Sequence, residues 1–379
     1  MKLLLALALA LALPLLAAAE PFVPKDDAAA VQRLPYRMDA AERARRAALA
    51  RDPAQLPLAL DAARAALDRA RALGDPRELG AAQAALAPWW ARADAPPEAV
   101  LLRARVKQAR HDFDAAQAEL QSLLQRGDLP AALRAQALLD AAAIHQLRGE
   151  LAEARALCEP LRSLAPLPAS ACLAELASLS GDAPAAAMKL AQLSPGRITP
   201  PWLALMRAEL AERRGDPAAA ALYRLALTGA DEVYTRAALA DWLLDHDQPA
   251  EALALATGEA DALLLRRVIA LHRLGREAAA PTARLRDALA AVDRREPGKH
   301  AREQARFALD VTGDAREALR LARLNWALQR EPADAVLLLR AARAAGRDGE
   351  ATRQELANFV RQRGWQDVRL AALDRSLAS

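Results

Sequence analysis

Aromatic side chains make up only 3% of this 379-residue chain, and Val and Ile are scarce beside Ala and Leu. Strands draw on β-branched and aromatic residues, whereas helices tolerate Ala, Leu, Arg and Glu best, so the composition predicts an all-α protein. Asparagine occurs only at Asn325 and Asn358, and there is no paired-cysteine motif. Neither sign of charge is in excess: 52 basic residues face 48 acidic ones, for a formal net charge of +4. Arg outnumbers Lys, but the charges are interspersed rather than massed, which argues against a nucleic-acid partner. The five histidines (His111, His145, His246, His272 and His300) have no second ligand at metal spacing. No nucleophile elbow or phosphate-cradling loop is present either. The expectation is a non-enzyme without metal or cofactor.

The chain opens with Lys2 and an apolar run from Leu3 to Leu16, followed by Ala17-Ala18-Ala19. A positive start, a short apolar stretch and a small-residue site together read as an export signal cleaved near Ala19. The run is short for a membrane span, so no integral membrane segment is expected after cleavage, and the compartment would be the periplasm. Residues 20–38, with Pro21, Pro24 and Pro35, read as an extended leader into a helical domain over residues 39–379.

Within that domain one phrase keeps returning. Gly149-Glu150 is followed by Ala154, Gly181-Asp182 by Ala186, Gly215-Asp216 by Ala220, and Gly313-Asp314 by Ala318. Looser copies start at His111, Asp247, Gly275 and Gly346. The mean spacing is about 34 residues, the period of a helix-turn-helix solenoid. Punctuation by Pro and Gly predicts units at 56–88, 97–126, 130–164, 168–194, 199–229, 231–257, 260–292, 297–330 and 333–363, and a last helix over 366–377.

A second regularity makes the resemblance specific. Ala142 and Ala154, Ala174 and Ala186, Ala208 and Ala220, and Ala240 and Ala252 each stand twelve residues apart. This resembles the tetratricopeptide repeat, in which small residues occupy the eighth and twentieth positions where a unit's two helices touch. The family's aromatic positions are here filled largely by Leu or Ala, and Val268 and Arg306 stand at eighth positions. The resemblance implies a right-handed superhelical solenoid of stacked helix pairs with a C-terminal capping helix. It also implies a concave face lined by the first helix of each unit. Carried onto this register, Glu175, Glu209 and Asp241 are ninth positions, and Trp202 and Tyr234 are second positions, of that face. They would form an acidic stripe edged by aromatics, suited to a protein or extended peptide carrying basic and apolar residues. The family's asparagine clamp for a terminal carboxylate is not matched.

Cys158 and Cys172 are each seven residues from Ala165, in a Pro-marked loop. On antiparallel neighbours that equal distance sets them level, so either a disulfide or two buried thiols would suit the spacing. The function expected is a periplasmic, protein-binding scaffold that aids assembly or maturation of an envelope complex. The alternatives are a structural adaptor using its terminal units, and an enzyme accessory subunit or rare helical hydrolase. The sequence does not give the oligomeric state.

Overall fold

The computed structural model describes residues 38–193 and 199–375. Residues 1–37, on which the expected export signal and most of the expected leader fall, and the last four residues lie outside the described part. Among the described residues the protein is all-α, without a strand.

Helix α1 (Ala40–Arg51) starts at Asp39, whose side chain accepts from the Glu42 backbone N–H at 2.7 Å. Nine helix pairs follow: α2 (Leu56–Leu73) with α3 (Pro76–Ala85), α4 (Pro97–Ala109) with α5 (Phe113–Leu124), and α6 (Ala131–Leu147) with α7 (Leu151–Cys158), then further pairs beyond a short α8 (Leu161–Leu164). Those are α9 (Pro166–Ser178) with α10 (Ala183–Gln192), α11 (Pro201–Arg213) with α12 (Ala219–Gly229), and α13 (Val233–Asp245) with α14 (Pro249–Leu255). The last three are α15 (Asp261–Arg273) with α16 (Ala279–Arg295), α17 (Ala301–Phe307) with α18 (Ala315–Leu328), and α19 (Pro332–Ala344) with α20 (Glu350–Arg363). A terminal helix, α21 (Val368–Leu373), packs back on α19. Consecutive pairs also touch, as a repeat array requires.

The recurring phrase forms the turn inside each pair. Its first residue is left-handed in every copy, with φ from 55° at Asp247 to 91° at Gly181. The following N–H then reaches back to close the helix: Glu150 to the His145 carbonyl at 2.8 Å, Asp182 to Ala177 at 3.1 Å, Asp216 to Ala211 at 2.8 Å. This is the geometry in which a left-handed residue satisfies the orphan carbonyls of a helix end, and Gly adopts it without steric cost. The eight paired alanines are all at most 6% exposed. Each couple lies within one core cluster, so helices meet there at close range.

The array curls far enough to meet itself. The turns of the early pairs lie against the starts of first helices, and against the C-terminal helices, much later in the chain. His111 Nδ1 lies 2.8 Å from the Lys299 carbonyl, 188 residues on. The Arg330 N–H donates to the Leu147 carbonyl at 2.7 Å, and Arg363 Nη2 to the Gly149 carbonyl at 3.0 Å. Gly74 packs on Val233, Gly181 on Gly364, and Gly215 on Val368. Leu179, at the end of α9, belongs to the core built by α17 to α21. Gly74, Gly149, Gly181 and Gly215 therefore serve twice, as left-handed residues in their turns and as flat surfaces for the approaching later segments, whereas His111 makes its contact through its ring.

Cys158, at the end of α7, and Cys172, in α9, form a disulfide with Cα atoms 6.2 Å apart. Trp89 is buried in the core of the first pairs, while Trp90 is half-buried beside it.

Candidate functional site: a charged cavity inside the curl

Curling turns the first helices toward one another, and they enclose a cavity of about 210 Å³. Its walls come from the first helices α6, α9, α11, α13, α15, α17 and α19, with Tyr223 of α12 and Arg369 of α21 also lining it. Of the residues expected on the concave face, Glu175, Glu209, Tyr234 and Asp241 come together here. Trp202 does not; it stands at the start of α11, outside the residues that line the cavity.

The stripe is also less acidic than its carboxylates suggest, because arginines from other helices answer them. Asp241 takes Arg266 Nη2 at 2.6 Å and Arg306 Nη1 at 2.5 Å. Burial would push its carboxyl up, but the two guanidiniums overcome that and hold it at about 2. Arg306 also reaches Asp310, at 3.1 Å, in a single π-helical turn (308–312) that continues α17, and Arg340 of α19 pairs with the same Asp310. Glu212 receives Arg369 Nη1 at 2.8 Å and the Tyr223 hydroxyl at 2.6 Å. Burial nevertheless raises Glu212 above the usual carboxylate range.

On the facing wall, Arg302 grips Asp334 through Nε at 2.6 Å and also pairs with Glu331. Asn325, 2% exposed, donates to the same Asp334 at 2.6 Å. Glu331 and Asp334 cap the start of α19 reciprocally, so this end of the helix is held by both hydrogen bonding and charge. These arginines escaped sequence reasoning because Arg is common on every helix here and carries no periodic mark.

One pole of the cavity is different. Glu175 receives Arg213 Nη2 on one oxygen at 3.1 Å, while its other oxygen is buried without a hydrogen-bond partner. Glu209 accepts only the Tyr234 hydroxyl, at 2.7 Å. Burial pushes Glu209 up to about 7; the Tyr234 hydrogen bond opposes the rise, and the neighbouring charges of Glu175 and Glu331 add to it. The Tyr234 hydroxyl is raised in turn, first by the Glu209 charge and then by burial. Ala237, Ala238, Val336 and Leu337 supply apolar wall beside this pole.

A second hollow, of about 570 Å³, lies between the second pair and the loop before it, lined by Trp90, Arg92, Arg103, Lys107, Glu119 and Arg126 among others. Its cations are engaged: Arg103 and Lys107 with Glu119, Arg92 with Asp94, and Arg126 with Asp128. Arg103 also holds the carbonyls of Trp89 and Arg92, which makes it a brace for that loop. Among the described residues no cluster of His, Cys, Asp and Glu is arranged to hold a metal ion, and no helix is long and apolar enough to cross a membrane. No protein-family model matches the chain, and no curated protein matches its sequence.

Proposed function

We propose that this chain is a degenerate tetratricopeptide-like solenoid, right-handed and capped by α21, that holds a protein or peptide segment on its concave face without catalysing a reaction. Support for the family comes from the buried alanine couples and from the left-handed residue that opens each turn. The observation that carries the function is the convergence of side chains from seven first helices, α6 to α19, on one cavity. Interior space lined by a few oriented polar groups and apolar wall is the usual form of a ligand site. Export to the periplasm with cleavage near Ala19 belongs to the same proposal, as does a role in assembling an envelope complex. A disulfide between Cys158 and Cys172 suits that oxidising compartment.

The test is selection of displayed peptides on the folded protein and on an Ala333→Trp variant. Ala333 is exposed and lines the cavity at the start of α19, so an indole there fills the space without disturbing the core. Peptides selected on the unmodified protein should lose at least tenfold in affinity for the variant. They should also slow hydrogen exchange in α9, α11 and α13. Equal binding to both proteins, with protection confined to α1 to α3 or to α20 and α21, would instead establish the adaptor reading.

A further inference from the structure

The cavity carries charge of both signs, but only one pole is incomplete. Every arginine that reaches across it to Asp241, Glu212, Glu331 or Asp334 is matched by a carboxylate. Arg330 is drawn away toward the Trp326 carbonyl and the Phe359 ring. An anionic ligand would therefore have to break existing pairs. A cation would not.

Two separate observations place the vacancy for it. Glu209, turned toward the cavity, has no cation bound to it and rests on a single hydroxyl. Glu175, only 6% exposed, lines the same cavity and keeps one carboxylate oxygen with no hydrogen-bond partner at all. A buried carboxylate oxygen left unpaired is costly and is normally answered by a donor. The elevated titration of Glu209 agrees with this: burial raises it first, Glu175 and Glu331 add to the rise, and the Tyr234 hydrogen bond and the charge of Arg213 only partly oppose it.

Resting on the peptide-binding reading above, we infer that the pole formed by Glu209, Glu175 and Tyr234 receives the ammonium head of a lysyl side chain of the bound segment, its methylene stem lying along Ala237, Ala238 and Val336. Ammonium fits better than guanidinium. Its three donors point in three directions and meet oxygens carried by three different residues, whereas the planar fork of arginine needs two acceptors side by side. The apolar wall suits a stem of four methylenes, which buries readily while the head stays paired.

The experiment uses ten-residue peptides with alanine and leucine flanks, identical except for a central lysine, norleucine or arginine, titrated calorimetrically at pH 7.5. The lysyl peptide should bind at least tenfold more tightly than the norleucyl one, with the arginyl peptide between. Glu209→Gln should remove that preference while circular dichroism and thermal unfolding show the fold intact. Tyr234→Phe, which keeps the ring, should reduce the preference several-fold. Because the Glu209 proton must leave before the ammonium can pair, the preference should weaken as pH falls from 7.5 to 5.5. Glu175, Glu331, Arg213 and Tyr234 are the other titratable groups around that proton. Equal binding of the lysyl and norleucyl peptides, or a preference unchanged in Glu209→Gln, would overturn the inference. So would 1,5-diaminopentane binding more tightly than any lysyl peptide, which would assign the pole to free diamines. If peptides are excluded by Ala333→Trp yet show no preference for lysine, the cavity reading stands and this inference alone fails. If Ala333→Trp excludes nothing, the cavity reading itself fails.

Discussion

Gly181 and Gly364 meet backbone to backbone: a Cβ on Gly364 would stand 3.3 Å from the Gly181 Cα, and one on Gly181 would stand 3.4 Å from the Gly364 carbonyl oxygen. Both residues are left-handed, with φ of 91° and 64°, so each ends a helix while exposing bare backbone to the other. Gly364→Ala should therefore carry two costs, the left-handed strain and the lost approach, together about 2–3 kcal/mol. Gly313→Ala is the control, because Gly313 has φ of 69° but open space around its Cα. It should cost only the strain, about 1 kcal/mol. Urea unfolding of the two variants checks this, and equal losses would mean that the closure of the curl contributes nothing at that point.

Asp241 stands between two arginines from different pairs, Arg266 of α15 and Arg306 of α17. Replacing it with Asn removes the carboxylate between the two guanidiniums, leaving Arg306 with Asp310 as its remaining counter-charge. Its side chain is about a quarter exposed (24%), so the loss belongs at or below the lower end for a broken buried pair, about 2–3 kcal/mol. Asp241 is also held at about 2, below its usual value. A depressed carboxyl stabilises the fold above its unfolded pKa and loses that contribution as pH falls through the folded one. The corresponding loss should appear between about pH 4 and pH 2 in acid titrations of the protein, and be absent from the Asp241→Asn variant.

Glu209 has the opposite sign. Raised to about 7, it stabilises the folded state while protonated, below the usual carboxyl range, and loses that contribution as pH rises through about 7. The melting temperature should fall between pH 5 and pH 8, and Glu209→Gln should flatten that part of the profile. Since the carboxylate opens partly to the cavity, the effect at pH 8 is about 1–2 kcal/mol rather than the full value of a sealed group. A Gln variant less stable than the unmodified protein at pH 8 would mean that the Tyr234 bond to the charged form outweighs the desolvation.

The repeated phrase and the alanine couples made the helix pairs legible, because a left-handed turn and a close helix contact each demand a small residue at a fixed place. The same register brought Glu175, Glu209 and Asp241 to one surface. It did not show that Arg213, Arg266 and Arg306 would answer two of them, since those partners lie 25 to 65 residues away and nothing local marks them. Nor did it separate Trp202 from Tyr234, which hold the same place in successive units. Tyr234 lines the cavity and donates its hydroxyl to Glu209 on the preceding first helix, although it is as exposed as Trp202. The matching carboxylate for Trp202 is Glu175, which takes Arg213 on one oxygen, and Trp202 lies outside the cavity lining. The curl depends on small rotations accumulated from pair to pair, which no single residue type records.

The disulfide offers a test confined to the array's middle. Cys158 and Cys172 are separated by 14 residues and join the second helix of one pair to the first helix of the next. Cross-linking so short a loop removes about 3 kcal/mol of unfolded-state entropy in the chain-entropy view. The double variant Cys158→Ala, Cys172→Ala should lose up to that amount, because alanine removes only the bridge and one small atom from each side chain. Reduction of the unmodified protein should lower its melting temperature by a similar margin and add nothing to the double variant. Two reactive thiols in unreduced, denatured protein recovered from an oxidising compartment would show that the bond is not formed there. The contact between the third and fourth pairs would then rest on packing, including that of Ala142, Ala154, Leu173 and Leu176.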